Sequence, residues 1–175
     1  MPDHYDEAIT AEGEMRPAYA ALLEALGRVD LGELEVAVQR RLADHDVTFG
    51  GRRGQTFLDP IPRLIAGAEW AGLVRGMRQR SRALNAFLAD VAGGRRIVAE
   101  GVVPAAAIEL AEHHQPVLRG VEALGGHAPL VGFDFVRGAD GVLRVLEDNL
   151  RSPSGLAYAL AARAAADAAF EERPE

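Results

Sequence analysis

Asp134, Glu147 and Asn149 are the residues whose types and spacing could do chemistry. They lie in two apolar runs, Gly132-Phe133-Asp134-Phe135-Val136-Arg137 and Val145-Leu146-Glu147-Asp148-Asn149-Leu150-Arg151, separated by Gly138-Ala139-Asp140-Gly141. Asp-Gly between apolar segments is a strong hairpin signal. Glu147 and Asn149, two residues apart on one strand, point to the same side. With Asp134 from the other strand they are expected to give one face three oxygen donors. Such a set suits a hard divalent cation. Magnesium in nucleotide-dependent enzymes is held by one or two carboxylates together with substrate phosphates. The plain alternative is a hairpin whose carboxylates are only solvated, because short motifs also arise by chance.

The elements around this hairpin are read from caps and periodicity. Residues 1–15 read as an irregular arm. Pro17 opens a helix with Tyr19, Leu22, Leu23 and Leu26 on one face, and Gly27 ends it. Asp30 is expected to cap a second helix, with Glu33 completing a capping box and Leu31, Leu34, Val38 and Leu42 at helical spacing. Val47-Thr48-Phe49 and Gln55-Thr56-Phe57-Leu58 flank a glycine-rich tip and read as a second hairpin. That tip leads into a strand rather than a helix, so a plain turn is preferred to a phosphate cradle. Asp59-Pro60-Ile61-Pro62-Arg63 is a stiff stretch. It is either a linker or a loop held rigid so that Asp59 and Arg63 reach a site.

The longest helical pattern runs from Leu64 to Val91 and predicts one buried face, with Trp70 in the core. Gly93-Gly94 ends it. A short strand is expected around Ile97-Val98, and a helical turn from Pro104 to Leu110. His113-His114 is a poor metal clamp, since adjacent side chains diverge in any regular element. His127 reads as solvated. Ser152 is expected to cap a final helix with Pro153 at its first position. Leu156, Tyr158 and Leu160 are expected to pack there, and Ala161 to Ala169 reads as a frayed end.

Composition narrows the function. Hydrophobic residues make up 49% of the 175, enough for a buried core. The net charge of -7 disfavours nucleic acid as a partner, because phosphate binding needs clustered positive charge. All 19 basic residues are arginine, so no lysine amine is available to hold a phosphate or form a Schiff base. The absence of cysteine excludes disulfides, thiol catalysis and Cys-ligated zinc. The acidic start, Met1-Pro2-Asp3-His4-Tyr5-Asp6-Glu7, has no apolar core of a signal peptide, and no apolar run is long enough for a membrane span. No membrane association and a cytoplasmic location are the expectation.

Asp134, then Glu147-x-Asn149 thirteen residues later, then Pro153-x-Gly155, resembles the magnesium motif of ATP-grasp ligases. The motif here follows a mostly helical segment, an order that resembles the circularly permuted ATP-grasp proteins. Three other segments fit the same family: Tyr5-Asp6-Glu7 with Arg16-Pro17-x-Tyr19; Phe57 to Arg63; and Ala83-Leu84-Asn85-x-Phe87-Leu88-x-Asp90-Val91. The resemblance covers roughly residues 3–163. It implies an α+β fold, with a helical N-terminal part and a small antiparallel sheet carrying the motif. One partial domain over 1–175 follows: mostly helical over 1–95, sheet with the metal motif over 96–163, and a frayed tail over 164–175. Family members continue past the point matching Arg163, so the chain looks like the N-terminal portion of such a ligase.

The function implied is part of an ATP- and magnesium-dependent ligase that joins a small-molecule or peptide-like carboxylate to an amine. Asp134, Glu147 and Asn149 are then the magnesium ligands. Arg151 is a catalytic candidate that contacts a phosphate, or else pairs with Glu147 or Asp148. Asp59 and Arg63 pair and fix their loop, or line a binding pocket. A separate chain supplying the missing half is a further implied partner. The other reading is a truncated, non-catalytic domain that folds and interacts without turnover.

Overall fold

In the computed structural model the structure describes residues 5–47 and 58–171. The expected glycine-rich hairpin, at 48–57, lies outside the described residues. Among the described residues the architecture is mixed, with helices and one two-stranded antiparallel sheet, as the α+β expectation required. The chain divides into two compact units.

The first unit comprises Met1–Ala66, Asp134–Leu146 and Pro153–Glu175. Its arm is more ordered than expected. Ile9 and Met15 form a bridge around a tight turn. Pro17–Tyr19 is a 3-10 turn leading into α1, Ala20–Leu26. α2 is Leu31–Asp44, and the Asp30 carboxylate accepts the Glu33 N–H at 3.0 Å, the cap the sequence predicts. Leu34, Val38 and Leu42 are buried along one stripe of α2.

What covers that stripe differs from the expectation. The final helix α6, Gly155–Glu171, buries Ala165 and Ala169 in the same cluster, with Ala161 and Phe170 packed beside them. The alanine-rich segment is therefore packed rather than frayed: small side chains let two helix backbones approach closely. Leu156 and Leu160, expected to pack, are exposed. Ser152 does not cap α6. It adopts a left-handed φ of 51°, and the helix begins at Gly155.

The second unit comprises Gly67–Phe133 and Glu147–Ser152. It is built on α3, Gly67–Ala92, where no side chain is fully buried. Trp70 is 51% exposed, against the core role expected of it. Three polar side chains of α3 tie it to other segments of the unit. Asn85 holds Ala128. Asp90 accepts the N–H groups of Arg96 and Ile97, both at 3.0 Å. Arg80 grips Asp148. The Asp90 carboxylate explains why Ile97-Val98 is not the expected strand. It satisfies the first free N–H groups of a short helix, α4, Arg96–Ala99, and overrides the β-branched preference. α5, Ala105–Glu109, fulfils the expected turn after Pro104.

Candidate functional site

The hairpin is β1, Gly132–Arg137, and β2, Leu143–Asn149. Its turn is set by glycine. Gly141 donates to the Gly138 carbonyl at 2.8 Å, and Gly138 donates to the Val142 carbonyl at 3.0 Å. Gly141 has φ +77°, the left-handed position that a one-residue bulge needs. Asp140 accepts the Val142 N–H at 3.1 Å and is gripped by Arg144. The nearby guanidinium and the N–H hold its carboxyl well below the usual range.

The turn fixes the register. Counted from Gly138 and Val142, Asp134 lies across from Leu146. Exposure agrees: Asp134, Val136, Arg144 and Leu146 are exposed, while Phe135, Arg137, Leu143 and Val145 are half-buried. In strictly regular strands Asp134 and Glu147 would therefore point to opposite faces. The alternation stops at Leu146: Glu147 is exposed beside it, and Asp148 and Asn149 are both half-buried. The face shared by all three donors, expected from spacing alone, is not what the register gives. What Asp134 and Glu147 share is exposure.

The hairpin's four acids fall into two classes. Asp140 is bound by Arg144, and Asp148 by Arg80. No hydrogen bond or ion pair engages the carboxylates of Asp134 or Glu147, or the side-chain amide of Asn149, among the described residues. Two free carboxylates and an amide, all oxygen donors, are chemically suited to magnesium. No group of three or more His, Asp or Glu side chains is gathered for a metal among the described residues.

Arg151 does not pair with Glu147 or Asp148. It meets the ring of His113 at Nδ1, 3.1 Å away. No carboxylate pairs with Arg151 among the described residues. Asp148 is held by a two-pronged bond from Arg80: Nε to Oδ1 at 2.6 Å and Nη2 to Oδ2 at 2.7 Å. The guanidinium lowers the Asp148 pKa, and Asp148 raises that of Arg80.

Asp59 and Arg63 do not pair with each other. Asp59 accepts the Ile61 N–H at 2.9 Å and shapes its own loop. Arg63 pairs with Glu7 at 3.0 Å. Glu7 is the centre of a network that sequence reasoning did not single out. It also meets Arg137 Nε at 3.3 Å and accepts the Tyr19 hydroxyl hydrogen at 3.3 Å. Tyr19 in turn accepts the Leu64 N–H at 2.9 Å. The arginine of Arg16 stacks on the Tyr5 ring, 4.3 Å from its centre. The only sequence signal for this network was the resemblance itself. The Tyr5-Asp6-Glu7, Arg16-to-Tyr19 and Phe57-to-Arg63 segments supply most of its residues, with Arg137 from β1 and Leu64 just after Arg63.

No helix among the described residues is long and apolar enough to cross a membrane. The comparisons with known proteins identify a family. The family description "Circularly permuted ATP-grasp type 2" matches residues 62–175. A Frankia casuarinae protein named "Putative glutamate--cysteine ligase 2-2" is 42% identical, over 98% of this chain and 21% of its own length. A Frankia alni protein named "Putative glutamate--cysteine ligase 2-3" is 41% identical, over 98% and 21%. An uncharacterized protein of Mycobacterium leprae is 36% identical, over 89% of this chain and 29% of its own. The chain thus spans about a fifth of the length of the two Frankia relatives. The family match covers more than half of the chain and fits the mixed helix-and-hairpin fold: the chain belongs to the circularly permuted ATP-grasp family, type 2.

Proposed function

We propose that this chain carries the magnesium-holding strands of an ATP-dependent carboxylate–amine ligase. The observation that carries the reading is the contrast within one hairpin. Asp140 and Asp148 are locked by arginine, whereas Asp134, Glu147 and Asn149 keep their oxygens unengaged among the described residues. Leaving acids unpaired beside arginines that pair with their neighbours is consistent with a ligand set awaiting a cation.

Bound ATP and magnesium would supply a phosphoryl group to activate a carboxylate for attack by an amine. The chain's own part is positioning and charge neutralisation. Glu147 and Asn149 would hold the cation from β2, and Asp134 would complete the set where the alternation of β2 lapses beyond Leu146. Arg151, which meets the His113 ring and no carboxylate among the described residues, would offer its positive charge to a phosphate or to the activated carboxylate. Asp59 stiffens the loop that presents Arg63, whose terminal nitrogens would face a substrate anion while its Nε rests on Glu7. The names of the two Frankia relatives favour amino acids as the carboxylate and amine.

A second reading is favoured by the lack of lysine. Phosphate grip in ATP-grasp enzymes relies on lysines, so these residues would fold and interact without turnover. Calorimetric titration of the chain and of Glu147→Gln with magnesium–ATP separates the two. Binding lost in the variant supports the ligase reading. A folded wild-type chain that does not bind overturns it and leaves the non-catalytic one.

A further inference from the structure

We propose that Arg80 is a positioning residue for the cation ligands of β2. The inference rests on the ligand reading of Glu147 and Asn149 and extends it to a side chain on a different element.

Asp148 sits between the two ligands. Its carboxylate is taken up by Arg80 through both bonds, 2.6 and 2.7 Å long, whereas the side chains of Glu147 and Asn149 meet no partner among the described residues. A planar guanidinium on a carboxylate fixes orientation as well as distance. The Asp148 side chain is only 15% exposed, so the fork is partly shielded from water and salt.

The lever behind the fork is long and otherwise polar in its attachments. Arg80 lies mid-way along α3, which spans 26 residues and buries no side chain fully. Asn85 and Asp90 on the same helix hold Ala128 and the start of α4. Each of the three polar side chains sets one segment of this unit against α3. For β2 the segment set is Glu147-Asp148-Asn149. Metal affinity depends on ligands held in place before the ion arrives, and partners behind the ligands contribute about 10- to 100-fold.

Charge and geometry predict opposite signs. Removing a cation beside a metal site strengthens cation binding by simple electrostatics. Removing a positioning fork weakens it. The test uses manganese alone as the probe, with electron paramagnetic resonance on the full chain and a urea midpoint for each variant. Arg80→Met is expected to weaken manganese binding about tenfold and to broaden the bound spectrum. Arg80→Lys keeps the charge and the fold but loses the fork, and it is expected to weaken binding as well. Arg144→Met, which frees Asp140 at the turn, is the control and leaves affinity within twofold. A folded wild-type chain that binds no manganese overturns the ligand reading and this inference with it. Wild-type binding that is matched or exceeded by Arg80→Lys overturns the fork alone.

Discussion

Asn85 holds Ala128 by both of its main-chain groups. Its side-chain oxygen accepts the Ala128 N–H at 2.9 Å, and its amide nitrogen donates to the Ala128 carbonyl at 3.0 Å. A loop is thereby attached to the middle of α3 by the geometry of a strand pair. Asn85→Ala leaves both backbone groups of a buried residue unsatisfied. The expected loss is about 2–3 kcal/mol in urea unfolding, with faster amide exchange at Ala128. Asn85→Asp keeps the acceptor but sets a charge against the carbonyl, and it should recover less than half of the loss.

The same clamp explains a difference between two neighbouring glycines. Gly125 and Gly126 have φ of +86° and +96°. A Cβ on Gly125 meets nothing within 4 Å, whereas one on Gly126 would lie 2.7 Å from the Asn85 oxygen. Gly125→Ala is expected to cost about 1 kcal/mol, from backbone strain alone. Gly126→Ala should cost clearly more, and the excess should vanish in an Asn85→Ala background, as a double-mutant cycle would show.

Tyr19 gives the fold an alkaline limit. Burial first, and then the Glu7 carboxylate, raise its phenol above the ordinary value, against the opposing Leu64 N–H. The folded state therefore holds the proton more tightly than the unfolded chain, whose phenol titrates near about 10. The contribution is complete below that pH and falls as pH rises toward the folded value. Urea midpoints measured from pH 8 to 11 should drop in wild type and drop less in Tyr19→Phe. At pH 7 that variant should already be weaker by about 1–2 kcal/mol, since the Leu64 N–H loses its acceptor.

Within the hairpin, equal chemical changes should have unequal effects. Glu147→Gln and Asp140→Asn each remove one carboxylate from β2 or its turn. Only the first should lower magnesium–ATP affinity, by tenfold or more on the scale typical of a lost ligand or its support. Only the second should release Arg144, with little change in stability because the pair is exposed. Equal affinities for the two variants in calorimetry would refute the ligand assignment.

The α2–α6 contact carries the core of its unit. Leu34 is fully buried. Leu34→Ala is expected to cost about 3 kcal/mol, from lost transfer energy and an uncollapsed cavity. Leu156, an equal side chain on α6, is 59% exposed, and its replacement by Ala should stay within about 0.5 kcal/mol. Denaturant unfolding of the pair checks both.

Signals local in sequence were legible. Asp30 with Leu34, Val38 and Leu42 predicted α2, and Asp140-Gly141 predicted the hairpin, because cap, stripe and turn all act within one or two turns of chain. Partners far apart in sequence were not. Nothing near Asp148 points to Arg80, and nothing near Glu7 points to Arg63 or Arg137. Ile97-Val98 misled because a carboxylate outside the segment, Asp90, decided its state. Ala165 and Ala169 misled because a buried alanine and a solvent-facing one look alike in sequence. The candidate ligands were legible as residue types. Their register was not, since it depends on a one-residue bulge at Gly141.

The small side chains of α6 carry one more implication. Ala161, Ala165 and Ala169 recur every four residues along the face that meets α2. Sliding the helix by four residues would set alanine on alanine again and leave the contact nearly unchanged. The alanines therefore permit the approach but do not encode the alignment. The alignment is encoded by a large side chain at the end of the stripe, Phe170, which packs on the same cluster. Phe170 works as an index mark on an otherwise repeating scale.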